Sequence, residues 1–203
     1  MPKSPVNYDH TLNIETTDIQ MGIHRSFTYH RYEPTPYEVL NQLFETYLID
    51  SCDHVVDFGC GKGRLNFYLA HQFGPRVTGI EMNETFYEAC LKNLTMYKGK
   101  GRQNIMFEKC LAEEYKIPET ANVFYFFNPF TVDVFRKVVS NILLSIEQHY
   151  RPIEIVLYYP APDFVFFLEN HSMFTLKLEV QLDGFEKNVN ERFLVYELGV
   201  SSG

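Results

Sequence analysis

The sequence predicts an α/β fold: a doubly wound, mostly parallel, seven-stranded sheet with helices on both faces and an antiparallel C-terminal edge. Three observations predict it. Strand-like and helix-like segments alternate five times along the 203 residues. The strand at 121–127 is a nearly continuous apolar run, the mark of a strand buried on both faces. Two final runs, 174–182 and 192–198, alternate in hydropathy and are joined through Asp183 and Gly184, as antiparallel neighbours at a sheet edge would be.

Each element has its own local reason. Residues 1–34 show no clear periodicity and read as an irregular N-terminal arm, with a turn at Met21 and Gly22. The domain proper then runs over 35–203. Thr35 followed by Pro36 reads as an N-cap with proline at the first helical position. The helix to about residue 49 places Val39, Leu40, Leu43, Phe44 and Tyr47 on one stripe. A strand follows at 54–58, then a helix over 63–73, stopped by Gly74 and Pro75. The second strand is 77–81 and the second helix 83–97; the third strand is 104–108. After the fourth strand, 131–149 forms a long helix with Val134, Val138, Ile142 and Ile146 in line. The fifth strand is 153–159, ended by Pro160, and a short helix spans 163–170. The aromatic runs at 123–127 and 164–167 read as core faces of a strand and a helix rather than as an aromatic cage.

The totals narrow the function. A formal net charge of -8 argues against tight, non-specific binding of nucleic acid, which needs a basic face. The four cysteines, Cys52, Cys60, Cys90 and Cys110, have neither disulfide-framework nor zinc-finger spacing, so no metal site is expected. The stretch MPKSPVNYDH lacks the apolar core of a signal peptide, and no apolar run approaches the roughly 20 residues that span a bilayer. The expectation is a cytoplasmic protein without a membrane segment.

In a doubly wound sheet, ligands bind outside the carboxyl ends of the strands, at the switch in strand order. The strongest candidate there is the turn from Asp57 to Gly63, which runs from the first strand into a helix. Glycines 59, 61 and 63 permit a tight turn and close approach of a ligand to backbone, Cys60 included. The helix N-terminus beyond offers unpaired N–H groups, and Asp57 can accept from a ligand ammonium. The dinucleotide fingerprint G-x-G-x-x-G would put glycine at 64, where the chain has Arg64, so a nicotinamide-dependent oxidoreductase fits poorly. Gly63 is not followed by the Lys and Ser/Thr of a phosphate-binding loop. Glu81 ends the second strand about 20 residues beyond the turn, where an acid can bind both hydroxyls of a ribose. A helix-capping role for Glu81 and an empty glycine turn are the plainer readings.

Together these segments, VVDFGCGKGRL, VTGIEMN, IMFEKCLAEEY and VFYFFNPF, resemble the class I, Rossmann-like, seven-stranded methyltransferases over residues 36–198. The resemblance implies S-adenosyl-L-methionine as cofactor. It implies that Asp57, Gly59, Cys60, Gly61 and Gly63 hold the methionine moiety, and that Glu81 and Met82 lie at the ribose and beside it. Leu111 and Ala112 stand at the adenine loop, where many members carry an Asp instead. Asn128, Pro129 and Phe130 resemble the D/N-P-P-Y/F loop of enzymes that methylate amino nitrogens, with one proline fewer. That resemblance assigns Asn128 to orienting the acceptor nitrogen and Phe130 to a stacking wall. An Asn-Pro turn capping the next helix explains the same residues. The segment from Tyr32 to Tyr37 resembles a stretch that lies over the cofactor in several protein-lysine methyltransferases, and His24 and His30 are candidate bases at its mouth. The expected substrate is a small molecule or a protein, with nucleic acid disfavoured. The alternative is a non-catalytic protein that binds the same cofactor.

Overall fold

A computed structural model describes residues 7–17 and 33–198. Its sheet has seven strands: β1 (His54–Phe58), β2 (Arg76–Glu81), β3 (Ile105–Lys109), β4 (Val123–Phe126), β5 (Glu154–Tyr158), β6 (Phe174–Gln181) and β7 (Arg192–Leu198). Their order is β3-β2-β1-β4-β5-β7-β6. The first five are parallel, while β7 runs antiparallel to both β5 and β6. The strand order reverses between β1 and β4, so the crevice predicted for a ligand lies above those two strands.

Strand periodicity decides which helices cover which face. Val56, Phe58, Phe124, Phe126, Ile155 and Leu157 point to one side, where α5 (Val132–Gln148) and α6 (Pro162–His171) cover them. Val55, Val123, Tyr125, Val156 and Tyr158 point to the other, against α2 (Tyr37–Phe44) and α3 (Arg64–Gln72). The α5 stripe is buried as its period requires, and Phe135 stacks on Phe164 of α6 with ring centroids 4.0 Å apart. Burial of one such side chain contributes roughly 1.5–3 kcal/mol. Most of the two aromatic runs is core, as expected, but Phe166 is exposed and Phe127 is only half-buried. The helix α4 (Glu84–Met96) joins β2 to β3, with Asn83 as its N-cap accepting from Phe86 N at 3.2 Å.

Two expectations are corrected. Thr35 is not the N-cap of α2: Pro36 holds that position, and the Thr35 hydroxyl bonds the Tyr125 hydroxyl on β4 at 2.9 Å. A buried tertiary partner has displaced a local one. The helix also ends at Phe44, short of residue 49, although Tyr47 and Ile49 remain buried. In the N-terminal arm, α1 (Tyr8–Leu12) is a short helix with Asn7 as N-cap. Leu12 and Ile14 pack with Phe67 and Tyr97. Five residues carry too little periodicity to be legible, and a helix that short depends on such packing. The turn placed at Met21 and Gly22, and His24, His30 and Tyr32, lie outside the described residues.

Candidate cofactor and acceptor site

The turn after β1 is made of alternating left-handed glycines, with φ of 77° at Gly59, 56° at Gly61 and 84° at Gly63. The amides of Gly59 and Cys60 both donate to the Ile80 carbonyl, at 2.9 and 3.1 Å, which ties the turn to the end of β2. Two of the glycines are also forced by space. A Cβ at 59 would lie 2.6 Å from Pro129 Cβ, and one at 63 would lie 2.7 Å from Phe107 Cζ. The alternation thus answers to backbone conformation and to two neighbours remote in sequence.

Two buried carboxylates flank this turn. Asp57 closes β1 beside Asn66 of α3, whose amide donates to Asp57 Oδ2 at 3.0 Å and accepts from Gly79 N at 3.1 Å when oriented to satisfy both. Glu81 Oε2 accepts from Gly61 N at 2.9 Å, and its Oε1 accepts from Asn83 N at 2.8 Å. Burial pushes the Asp57 carboxyl up to about 8, with the Glu81 charge adding to it. Burial also raises Glu81, to about 7, against the opposing bonds from the amides of Asn83, Gly61 and Met82. Both acids are thus held where an arriving cation or hydroxyl donor would favour their ionised form.

The remaining predicted residues sort by depth. The Cys60 side chain is buried against the sheet, so its contribution at the turn comes through backbone. Met82 is partly exposed beside Glu81. Leu111 is half-buried and leads into a short 3-10 turn, while Ala112 packs into the core, leaving its backbone rather than its methyl for a ligand. Asn128 stands just past β4 with a left-handed φ of 39°. Phe130 is fully buried and packs edge-on to Phe126 within the core. Phe130, assigned to a stacking wall, thus stands as a core side chain beneath the loop. Pro34 and Thr35, from the predicted covering segment, line a cavity with Asp57, Gly59, Arg64 and Phe127.

Sequence reading missed a buried cluster under that cavity. Arg64, at the third fingerprint position, donates from Nε to Thr16 Oγ1 at 2.7 Å and from a terminal nitrogen to Thr35 O at 3.3 Å. It pairs with Asp9 at 4.0 Å and lies 4.7 Å above the Tyr37 ring. Tyr37 in turn donates to Asp9 at 2.5 Å. The exclusion of a dinucleotide glycine at 64 was the one signal that pointed there. Among the described residues no cluster of three or more His, Cys, Asp or Glu is placed to hold a metal, and no helix is long and apolar enough to cross a membrane.

Seven strands in this order, with a glycine turn at the switch and an acid closing β2, define a Rossmann-like methyltransferase architecture. The family described as "Methyltransferase domain" matches residues 35–157, more than half of the chain, and the chain belongs to that family. It is similar to a protein-lysine N-methyltransferase of Saccharolobus islandicus, 32% identical over 76 residues that cover 37% of this chain and 47% of that one. It is also similar to a tRNA adenine-N6 methyltransferase of Shewanella woodyi, 27% identical over 59 residues, covering 29% of this chain and 24% of the other. These matches span less than half the length of either curated relative. Among solved structures, a glycopeptide N-methyltransferase complexed with S-adenosylmethionine superposes with a TM-score of 0.59 at 12% identity, covering 88% of this chain and all of that one.

The cofactor of this class is S-adenosylmethionine, and the residues present fit it. The glycines keep the turn thin where a ligand must pass close to backbone. Asp57 offers a buried carboxylate for an ammonium. The two Glu81 oxygens accept from the amides of Gly61 and Asn83, and a carboxylate has further acceptor capacity for a ribose hydroxyl.

Proposed function

We propose that the chain transfers a methyl group from S-adenosylmethionine to a nitrogen nucleophile, on a protein in preference to a small molecule. The observation that carries this reading is the contact between the two loops: Pro129, next to Asn128, packs directly on Gly59 of the cofactor turn. The residue assigned to the acceptor is thereby fixed against the residues assigned to the donor. Two relatives named for nitrogen acceptors, lysine and adenine, support it. The acidic net charge favours the protein over the nucleic acid.

When bound, the cofactor supplies a methyl on a sulfonium; the acceptor lone pair bonds to that carbon as the carbon–sulfur bond breaks and its electrons stay on sulfur. Everything else falls to the chain. Asp57 holds the amino group, Glu81 the ribose hydroxyls, and the backbone of 59–63 lies against the methionine moiety. Met82 and the backbone at Leu111 and Ala112 flank the adenine. The Asn128 side chain accepts from the acceptor N–H and aims the lone pair. An ammonium acceptor first gives one proton to water. Positioning and exclusion of water are the protein's main contribution, and such positioning supplies roughly 7–11 kcal/mol.

Calorimetry with S-adenosylmethionine and with NAD, followed by transfer of labelled methyl to fractionated cell extract, tests this. Cofactor binding with methyl transfer is expected; binding with no transfer to any fraction would favour a non-catalytic protein. Replacing Asn128 by Ala is expected to lower turnover by about tenfold or more, the worth of one oriented hydrogen bond, with cofactor affinity nearly unchanged.

A further inference from the structure

A second residue stands beside Asn128 with the same backbone peculiarity. β4 and β5 are parallel with Phe126 opposite Leu157, so two steps further on Asn128 lies level with Tyr159. Three described non-glycine residues have positive φ: Asn13, Asn128 and Tyr159. Asn13 is the left-handed C-cap of α1 and needs no other explanation. Asn128 and Tyr159, at 39° and 48°, stand at adjacent strand ends, and each precedes a proline. For a bulky residue such as tyrosine this conformation costs on the order of 1–3 kcal/mol and persists where surrounding structure demands it.

The demand is visible in which face Tyr159 occupies. Along β5, Ile155 and Leu157 pack on the α5 side, and Val156 and Tyr158 on the α2 side. Strand alternation would send residue 159 to the α5 side. The left-handed turn sends it back, so Tyr159 packs against the same cluster as Tyr158 and Phe127. Phe127 and Tyr158 have ring centroids 4.4 Å apart, and Tyr158 and Tyr159 6.3 Å. Half-buried Tyr159 is held at its far end by Asn188, which donates to the hydroxyl at 2.8 Å from the β6–β7 connection. Phe127 and the exposed Glu33 line the cavity that reaches Asp57 and Gly59. Burial holds the Tyr158 hydroxyl in its neutral form, and the Glu191 and Glu33 carboxylates add to it. Aromatic faces backed by carboxylates suit a cation on an apolar stem.

We infer that Phe127 and Tyr159 form the entry for a protonated alkylamine, the side chain of a lysine in a basic segment of another protein, with Glu33 and Glu191 as counter-charges. This rests on the methyl-transfer reading and gives the stacking role assigned to Phe130 to two other rings. The net charge of -8 would steer a basic partner toward the molecule.

The test is calorimetry of the full chain loaded with S-adenosylhomocysteine, using a hexalysine peptide as one probe and a twelve-nucleotide single-stranded RNA as the other. Hexalysine is expected to bind. Tyr159→Ala should weaken it about tenfold, with Tyr159→Phe close to wild type, because the ring and not the hydroxyl meets the cation. Phe127→Leu should weaken it as well, and the thermal unfolding midpoint of all three variants serves as the control for folding. A wild-type protein that binds cofactor but not hexalysine overturns the inference, as does unchanged affinity in Tyr159→Ala. Preference for the RNA overturns it in favour of a nucleic-acid acceptor. Failure of the wild type to bind S-adenosylmethionine sinks the methyl-transfer reading itself, and this inference with it.

Discussion

The cofactor side of the cleft, at the ends of β1 and β2, is made from backbone amides, three left-handed glycines and two buried carboxylates within residues 57–81. The proposed acceptor side, at the ends of β4 and β5, has side chains carried on two non-glycine residues in the same left-handed region, supported from residues 33–35 and 188. A constant ligand can be met by backbone and fixed charge, which any sequence with glycine in the right places supplies. A particular acceptor has to be met by side chains, and on the proposed reading this is why Asn128 and Tyr159 stand where glycine would be easier.

The largest effect should come from the carboxylates. Glu81→Ala and Asp57→Ala are each expected to weaken S-adenosylmethionine binding by about a hundredfold, two hydrogen bonds to a charged group being lost, as read by calorimetry. Glu81→Gln serves as the companion that keeps the shape of the turn. Unchanged affinity in both alanine variants would remove the distinction between the two sides. Next is Arg64→Ala, which leaves Asp9 buried without its cation. The expected loss is about 3 kcal/mol of stability in denaturant unfolding, and a loss within error would mean that the cluster under the cavity is incidental. Gly59→Ala should cost about 2 kcal/mol through strain, beyond its clash with Pro129, and should disturb both sides because Pro129 adjoins Asn128.

The last effect is on pH, spread over several units. Asp57 and Glu81 are raised to about 8 and about 7 in the free protein, so the native state holds protons that the unfolded chain has released. Stability without cofactor should therefore fall as pH rises from about 4 to about 8. Cofactor affinity should move the other way, because an ammonium against Asp57 favours the ionised acid. It should rise between pH 6 and 8 by up to about tenfold per unit for each proton released. Flat affinity across that range would mean that Asp57 does not meet the cation.

Much of this protein was legible one segment at a time. Hydrophobic period separated strands from helices, and most boundaries fall within two residues of those expected, since burial of a face imposes its period on the local sequence. The turn from Asp57 to Gly63, and Glu81 beyond it, were legible because glycine conformation and an acid at a strand end are requirements of the chain itself. The thirty-odd N-terminal residues were poorly legible because α1 is too short to show a period.

Tertiary structure alone decided which side chains face the cleft. It sent Phe130 into the core and turned Tyr159 back toward Phe127. It gave the Thr35 hydroxyl to Tyr125 instead of to a helix, and set Arg64 between residues 9, 16 and 35. The reason is distance along the chain. A conformational requirement acts on the residue that carries it and leaves its mark in a few neighbouring letters. A contact between residues 59 and 129, or 159 and 188, exists only once strand order and register have brought them together.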